Sequence, residues 1–337
     1  MPGQVGLRLR GFNINQLKTA LLQDDLETFT RLLVSPVKAN DLSAVMYEAI
    51  KKDRDRFVQG LLDFGMGTSY NFAFEAVRSE ATSCLEVFLA NGWDINQPQS
   101  ETQPSILADA ITNRKMALWL LDHGADLNKS TYVDMTPMSL AVQNASPDLV
   151  QTFLNLGGDV TKGELLQYVL DRPRSEAADA IEILAMLLDK GAPLNTVMYD
   201  KHAASRRLYP FIERGTALQK AIAAGNAEAV RYLLGRGADP TIKNSMGRDA
   251  VECAERSGHG DFSALEQPIL FWYCLEVRNS SNSLMIALNR FGKLRHVPIA
   301  CWIDWSVANS RSRLVSQSPA LLAFRSISLI GGNNCLI

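Results

Sequence analysis

Histidine and cysteine are sparse here, four and five in 337 residues, and neither type clusters. His123, His202, His259 and His296 stand far apart, so no pair has the spacing that puts two ring nitrogens on one metal or one reacting atom. His123 falls in a turn before Gly124, where a polar residue is routine, and reads as structural. Cys84, Cys253, Cys274, Cys301 and Cys335 show no paired spacing, which speaks against a disulfide framework and against a zinc site. Long apolar runs are lacking too: no stretch of about 18 uncharged apolar residues occurs, the length a membrane-crossing helix needs. The opening MPGQVGLRLRGFNIN has no apolar segment of the secretory kind. From these absences we expect an intracellular protein, cytoplasmic and/or nuclear, with no membrane partner.

Catalytic signatures are also missing. The sequence has no G-x-S-x-G, no G-x-x-x-x-G-K-[ST], no H-E-x-x-H and no calcium-loop pattern. The late GGNN is followed by no helical pattern that could offer its N-terminus to a phosphate. Acid pairs such as Asp24-Asp25 and Glu75/Glu80 read as solvated faces. No catalytic, cofactor or metal residue is therefore assigned, and no cofactor is expected. Net charge is −2 and unevenly spread: residues 268–337 hold seven Lys/Arg against Glu276 and Asp304, leaving 27 basic and 34 acidic residues, or −7, in residues 1–267. A region of that sign does not suit a nucleic-acid partner.

What is present is a regular recurrence. In TALQKAIAAGNAEAVRYLLGRGADP, residues 216–240, Thr216 can cap a helix start, and Leu218, Ala221 and Ile222 follow at helical spacing. Gly225 can end that helix, Asn226 can cap the next, Val230, Leu233 and Leu234 repeat the pattern, and Gly237 closes it. Helices of this length are shorter than the roughly 12 to 15 residues at which isolated helices become marginal in water. Burial of their leucines, isoleucine and valine, about 1.5 to 3 kcal/mol per large side chain, would offset the ordering only if another part of the chain covers them.

The same layout recurs at a period of 33. TPMSLAVQNASPDLVQTFLNLGGD, residues 136–159, has Thr136, a Pro137 suited to the first helical position, Ala141, Val150, Leu154 and Gly157 in matching places. In LWLLDHGADLN, Leu121 lies 33 residues before Leu154. A small residue marks each first helix at Ala20, Ala49, Ala76, Ala110, Ala141, Ala221 and Ala254. A leucine marks each second helix at Leu33, Leu62, Leu89, Leu121, Leu154, Leu188 and Leu234. The pattern resembles the ankyrin repeat, a 33-residue turn–helix–turn–helix unit with the signature T-P-L-H-x-A. The resemblance implies an all-α fold, an α-solenoid of stacked helix–turn–helix units with short finger turns, in seven to eight repeats over residues 15–267. Residues 1–14 form a lead-in. Ser139 and Gln219 stand where the signature has histidine, so the hydrogen bonds between neighbouring repeats are expected to suffer and stability to be modest.

Two places break the period. Val169 and Leu188 stand 19 apart rather than 13, which predicts a longer inter-helix loop or an extended helix around DRPRSEAADA. The finger from Asn195 to Thr216 takes 21 residues where Asn128 to Thr136 takes 8, so VMYDKHAASRRLYPFI contains an insertion. Insertions in a solenoid map to loops, often on the binding face. Tyr199, Arg206, Arg207, Tyr209 and Phe211 are candidates for a partner contact there, the alternative being a surface loop whose aromatics pack back on the array. Further candidates are Lys129 and Tyr132 on one finger, and Trp93, which replaces the alanine of Gly-Ala-Asp and reads either as an exposed anchor or as core.

Residues 268–337 keep no repeat landmark and hold three of the five tryptophans and three of the five cysteines. One reading is a small appended domain or targeting tail. The other, which the absence of a polar closing repeat after Gln267 favours, is a disordered stretch or a gene-model artefact with no selected structure. The function this pattern implies is a non-enzymatic protein–protein interaction scaffold or adaptor, expected to be monomeric and to bind protein partners on the concave face of its array. The alternative is a regulatory or substrate-recruiting subunit of an enzyme assembly whose catalysis lies in another chain.

Overall fold

The computed structural model describes residues 14–33 and 42–257. Contacts divide the chain into two units, Met1–Ile269 and Leu270–Ile337, and every described residue lies in the first. The readings of residues 1–13 and of the tail from 268 fall outside the described residues.

Helices account for all regular structure among those residues. They come in consecutive pairs, α1 (residues 14–22) with α2 (Leu26–Leu32), α3 (Ser43–Lys51) with α4 (Asp55–Asp63), and α5 (Tyr70–Arg78) with α6 (Thr82–Ala90). Then follow α7 (Leu107–Ala110) with α8 (Arg114–Asp122), α9 (Pro137–Asn144) with α10 (Pro147–Asn155), and α11 (Leu165–Val169) with α12 (Ala177–Asp189). After α13 (Ala203–Leu208), α14 (Ala217–Ala223) pairs with α15 (Ala227–Gly235), and α16 (Ala250–Arg256) opens a further unit. Each first helix packs on the first helix of the next unit from α3 to α16, with α11 meeting α14 directly across the insertion. This is the solenoid expected from the sequence: no pair is long enough to stand alone, and each shields its neighbour's apolar side.

Local sequence explains where the helices start. Thr136 and Thr216 accept the N–H groups of Ser139 and Gln219 at 3.1 and 3.3 Å, and Asn226 accepts that of Ala229 at 3.0 Å. The small landmarks Ala20, Ala49, Ala76, Ala110, Ala141, Ala221 and Ala254 are all buried, because first helices of adjacent units approach closely there. The leucine landmarks divide differently. Leu33, Leu154 and Leu234 are buried, whereas Leu62, Leu89, Leu121 and Leu188 are half-buried and the residues before them, Leu61, Phe88, Leu120 and Leu187, fill the core.

Ser139 and Gln219, at the histidine positions, do make hydrogen bonds to the next finger. Ser139 Oγ donates to the carbonyl of Gly163 in the next finger at 2.6 Å. Gly163 has φ +72°, and a Cβ there would strike Ser139 and Thr136, so the finger comes close enough for a short hydroxyl to reach it. Gln219, with its longer side chain, donates through Nε2 to the carbonyls of Ile242 and Arg248 at 2.7 and 3.0 Å. Serine and glutamine thus do with matched reach what the signature assigns to histidine.

The stretch around DRPRSEAADA contains both a shortened first helix, α11, and a 13-residue second helix, α12. Its arginines close neighbouring helices. Arg172, 3 % exposed, donates to the carbonyls of Val142 and Ala145 at the end of α9 at 3.0 and 2.9 Å and pairs with Glu176 at 2.9 Å. Arg174 donates to Ala224 O at the end of α14 at 2.6 Å. Guanidinium groups at helix C-termini meet free carbonyls and the negative end of the helix dipole.

The acid pairs are more than solvated faces. Asp24, Asp53 and Glu80 occupy the left-handed turn between the helices of a pair, with φ of +57°, +50° and +52°. Asp24 pairs with Arg54 at 3.0 Å, Asp53 accepts from Ser83 Oγ and Cys84 N at 3.0 Å each, and Glu80 accepts from Asn113 and Lys115 at 2.9 Å each. All three bridge to the following repeat. Asp25 caps α2 through Thr28 N at 2.9 Å, which holds its carboxyl below the usual carboxylate range, and Glu75 is buried beside Arg78.

Candidate protein-interaction surface

The fingers are hydrogen-bonded turns. Gln99 N donates to Pro104 O at 3.2 Å, Thr131 N to Met135 O at 2.9 Å, and Asn244 N to Arg248 O at 2.8 Å. An asparagine at the root of one finger clamps the next. Asn96 donates to Gly124 O and accepts from Asp126 N, both at 2.8 Å. Asn128 repeats this with Gly157 O at 2.9 Å and Asp159 N at 2.8 Å. Asn195 does so with Gly237 O at 3.2 Å and Asp239 N at 2.8 Å. Between Asn128 and Asn195 the ladder skips one rung, for a chemical reason: Thr161 stands at the asparagine position, and Pro193, at the next acceptor's partner position, has no N–H to give. The array therefore presents its finger tips from a braced edge, with Gln97, Gln99, Lys129, Tyr132 and Met246 exposed.

The insertion is folded onto this edge. Met198 N donates to Gly215 O at 3.0 Å and closes its base. His202 caps α13, its Nδ1 lying 3.3 Å from Ser205 N. Tyr199 lies inside, 6 % exposed, with its hydroxyl 3.1 Å from that of Tyr168, its N–H donating to Glu164 Oε1 at 2.7 Å, and its ring stacked on Tyr209 at 6.4 Å. Burial pushes the Glu164 carboxyl up to about 7, against the Tyr199 hydrogen bond, and the charges of Asp134 and Asp200 push it the same way. Burial likewise raises the Tyr168 and Tyr199 phenols. On the far side Arg214 N donates to Ser245 Oγ at 2.9 Å and Ser245 N returns to Arg214 O at 2.8 Å, so the insertion is tied to the following finger. Glu213 adds a bidentate contact with Arg248 and accepts from Asn244.

Of the candidate contact residues, the structure leaves Lys129, Tyr132, Arg206, Arg207 and Phe211 exposed and Tyr209 half-buried. Two are corrected. Tyr199 is consumed by the packing just described, and Trp93 is 8 % exposed, its ring edge-on to Phe88 at 6.5 Å. The sequence carried a signal for Trp93: its counterparts Ala125, Gly158, Ala192 and Ala238 are all small, and the three alanines are buried while Gly158 is half-buried. Sequence reasoning missed Leu208 and Ile212, which are exposed on the same insertion as Phe211. His123 is structural in place, stacked on Trp119 at 3.7 Å with Nδ1 2.7 Å from Trp119 O. Among the described residues no helix is long and apolar enough to cross a membrane, and no three His, Cys, Asp or Glu side chains gather as a metal site.

Comparison with known proteins agrees with this geometry. The family model described as ankyrin repeats (3 copies) matches residues 73–163, and the one described as ankyrin repeat matches residues 215–245. The chain is also similar to the mitochondrial disaggregase of Bos taurus, 25% identical over 157 residues that make up 47% of this chain and 22% of that protein. It thus spans about a fifth of that relative's length. Ankyrin repeats mediate protein–protein interaction and are typically non-catalytic, and this chain contains them in its units from α5 to α10 and at α14–α15.

Proposed function

We propose that the chain is a non-enzymatic scaffold or adaptor that holds protein partners along its first helices and finger tips, with the 195–215 insertion enlarging that surface. The observation that carries this reading is the asparagine ladder, which spends its bonds on holding successive fingers at fixed spacing while leaving their tips exposed. A braced row of tips is pre-organised for a macromolecular partner, since little ordering remains to be done on binding. The reading includes a monomer in the cytoplasm and/or nucleus.

The test is affinity capture with the full chain against a form lacking residues 197–211. Both forms should keep nearly the same helix content by circular dichroism, and the shortened form should retain fewer partners. Equal capture by both would remove the insertion from the reading, and specific turnover by the purified chain would remove its non-enzymatic part.

The match to a disaggregase favours a second reading, a regulatory or substrate-recruiting subunit whose catalysis lies in another chain. A segment similar to one fifth of an enzyme fits a recruiting role better than a catalytic one. Co-purification of a catalytic chain with this one would select it.

A further inference from the structure

The geometry points to the outer side of the insertion as a docking site for an acidic protein segment that carries apolar anchors, an inference that rests on the interaction reading above and specifies the partner's chemistry. Phe211 is 92 % exposed, and Leu208, Ile212 and Met246 are exposed with it. Single exposed apolar residues need no explanation, but three large ones within five residues of one insertion, with Met246 on the finger tied to it, concentrate apolar surface there. Two Arg214–Ser245 hydrogen bonds, one to the serine hydroxyl and one between backbones, hold the two pieces together, so these residues belong to one fixed surface and not to a free loop.

Charge says what covers it. The insertion carries Lys201, Arg206, Arg207 and Arg214 against Asp200 and Glu213, in a region 1–267 that is otherwise acidic. Arg214 is committed to Tyr209 O at 2.9 Å, Lys243 to Asp249 and Glu252 at 3.0 and 2.9 Å, and Glu213 to Arg248. Arg206 and Arg207 are exposed and have no ion pair among the described residues. A cleft beside them, lined by Arg206, Arg214, Lys243, Asn244 and Ser245 with Asp200 on one wall, can take a carboxylate. Arginine next to an exposed aromatic is the composition of an interface hot spot, and a planar guanidinium favours a bidentate acid. The chain's own residues 268–337 share the patch's positive sign and so are a poor occupant. An anionic membrane would have to approach against the surplus of acids elsewhere in the array.

The experiment selects a random peptide library displayed on phage against the full chain, in parallel with R206E/R207E and F211S/I212S, each variant first shown to melt like the parent. Selected sequences should be enriched in Asp and Glu around Leu, Ile, Phe or Trp. Synthetic copies should bind about tenfold or more weakly to either variant, and added salt should weaken them further. Enrichment of basic or uncharged sequences, or no enrichment, would overturn the proposal. So would acidic peptides that bind both variants like the parent; that outcome leaves the interaction reading standing, whereas loss of all partner capture by the parent sinks that reading itself. Preferential sedimentation with phosphatidylserine vesicles, or a dimer that F211S/I212S dissolves, would overturn it in favour of a lipid surface or a second copy.

Discussion

Asn128 accepts the backbone N–H of Asp159 at 2.8 Å and donates to the carbonyl of Gly157 at 2.9 Å, so a single side chain joins two successive repeats at both of its polar atoms. Both partners are backbone groups in the turn that follows α10, which would otherwise look to water. The relationship recurs at Asn96 and Asn195, and at Asn195 it reaches across the whole insertion. A repeat array has only nearest-neighbour interfaces, so a two-bond clamp at each finger root weighs more than it would inside a compact globule.

Asn128→Ala should therefore lower stability by about 1 to 3 kcal/mol, two bonds at roughly 0.5 to 1.5 kcal/mol each. Thr161→Ala, at the skipped rung, removes only the hydroxyl's bond to Asp159 within its own turn and should cost less. Urea unfolding followed by circular dichroism measures both. Equal losses would mean that the ladder contributes nothing beyond its local turns.

Arg172→Ala should be among the more damaging single changes. The side chain is nearly enclosed, and its removal frees two carbonyls at the end of α9 as well as Glu176. Glu176 is largely exposed, so the solvent-screened pair adds little and the loss comes from the two charged hydrogen bonds, about 1.5 to 3 kcal/mol each; Arg172→Lys should recover only part, since an ammonium cannot match the guanidinium fork. Melting curves of the two variants decide it; a lysine variant as stable as the parent would show that charge alone matters there.

Gly163→Ala tests the serine-for-histidine exchange. Alanine at φ +72° suffers the left-handed strain of about 1 to 2 kcal/mol, and its methyl group would also strike Ser139 and Thr136. A loss larger than that strain is expected, whereas Gly247→Ala, at φ +74° with nothing within 4 Å of the added methyl group, should show little more than the strain itself. Matching losses would place no crowding at Gly163.

The recurrences were legible because they depend on local chemistry: threonine caps, alanines where helices touch, glycines where a helix must end. Thr136, Ala141, Thr216 and Gly237 behave as their residue types demand. Other features depend on where a second segment lies. That Ser139 and Gln219 can both stand at the histidine position depends on which carbonyls the next finger brings within reach, Gly163 O for one and Ile242 O for the other, which no single repeat encodes. Asp24, Asp53 and Glu80 look like solvated acids until the following repeat is in place to receive them. Tyr199 and Phe211 are both aromatic residues of one insertion; Tyr168, thirty-one residues before Tyr199, is what draws one inside and leaves the other out.

Glu164 makes the array's stability depend on pH near neutrality. Its carboxyl, beneath the insertion, is raised from 4.5 to about 7 chiefly by burial, so the folded state holds the proton more tightly than the unfolded chain does. A group of this kind contributes stability that is complete below about 4.5 and is lost as pH rises through about 7. Glu164→Gln keeps an acceptor for Tyr199 N–H and cannot ionise. Its melting temperature relative to the parent should therefore increase steadily as pH rises from 4.5 to beyond 7, the interval in which the parent's carboxyl becomes charged. Glu164 is only half-buried, so solvent screening keeps the effect smaller than a fully enclosed carboxyl would give. Paired thermal melts across that interval measure the difference directly. A gap that closes as pH rises would mean that the ionised carboxylate is the better partner for the Tyr199 amide, with the hydrogen bond outweighing burial.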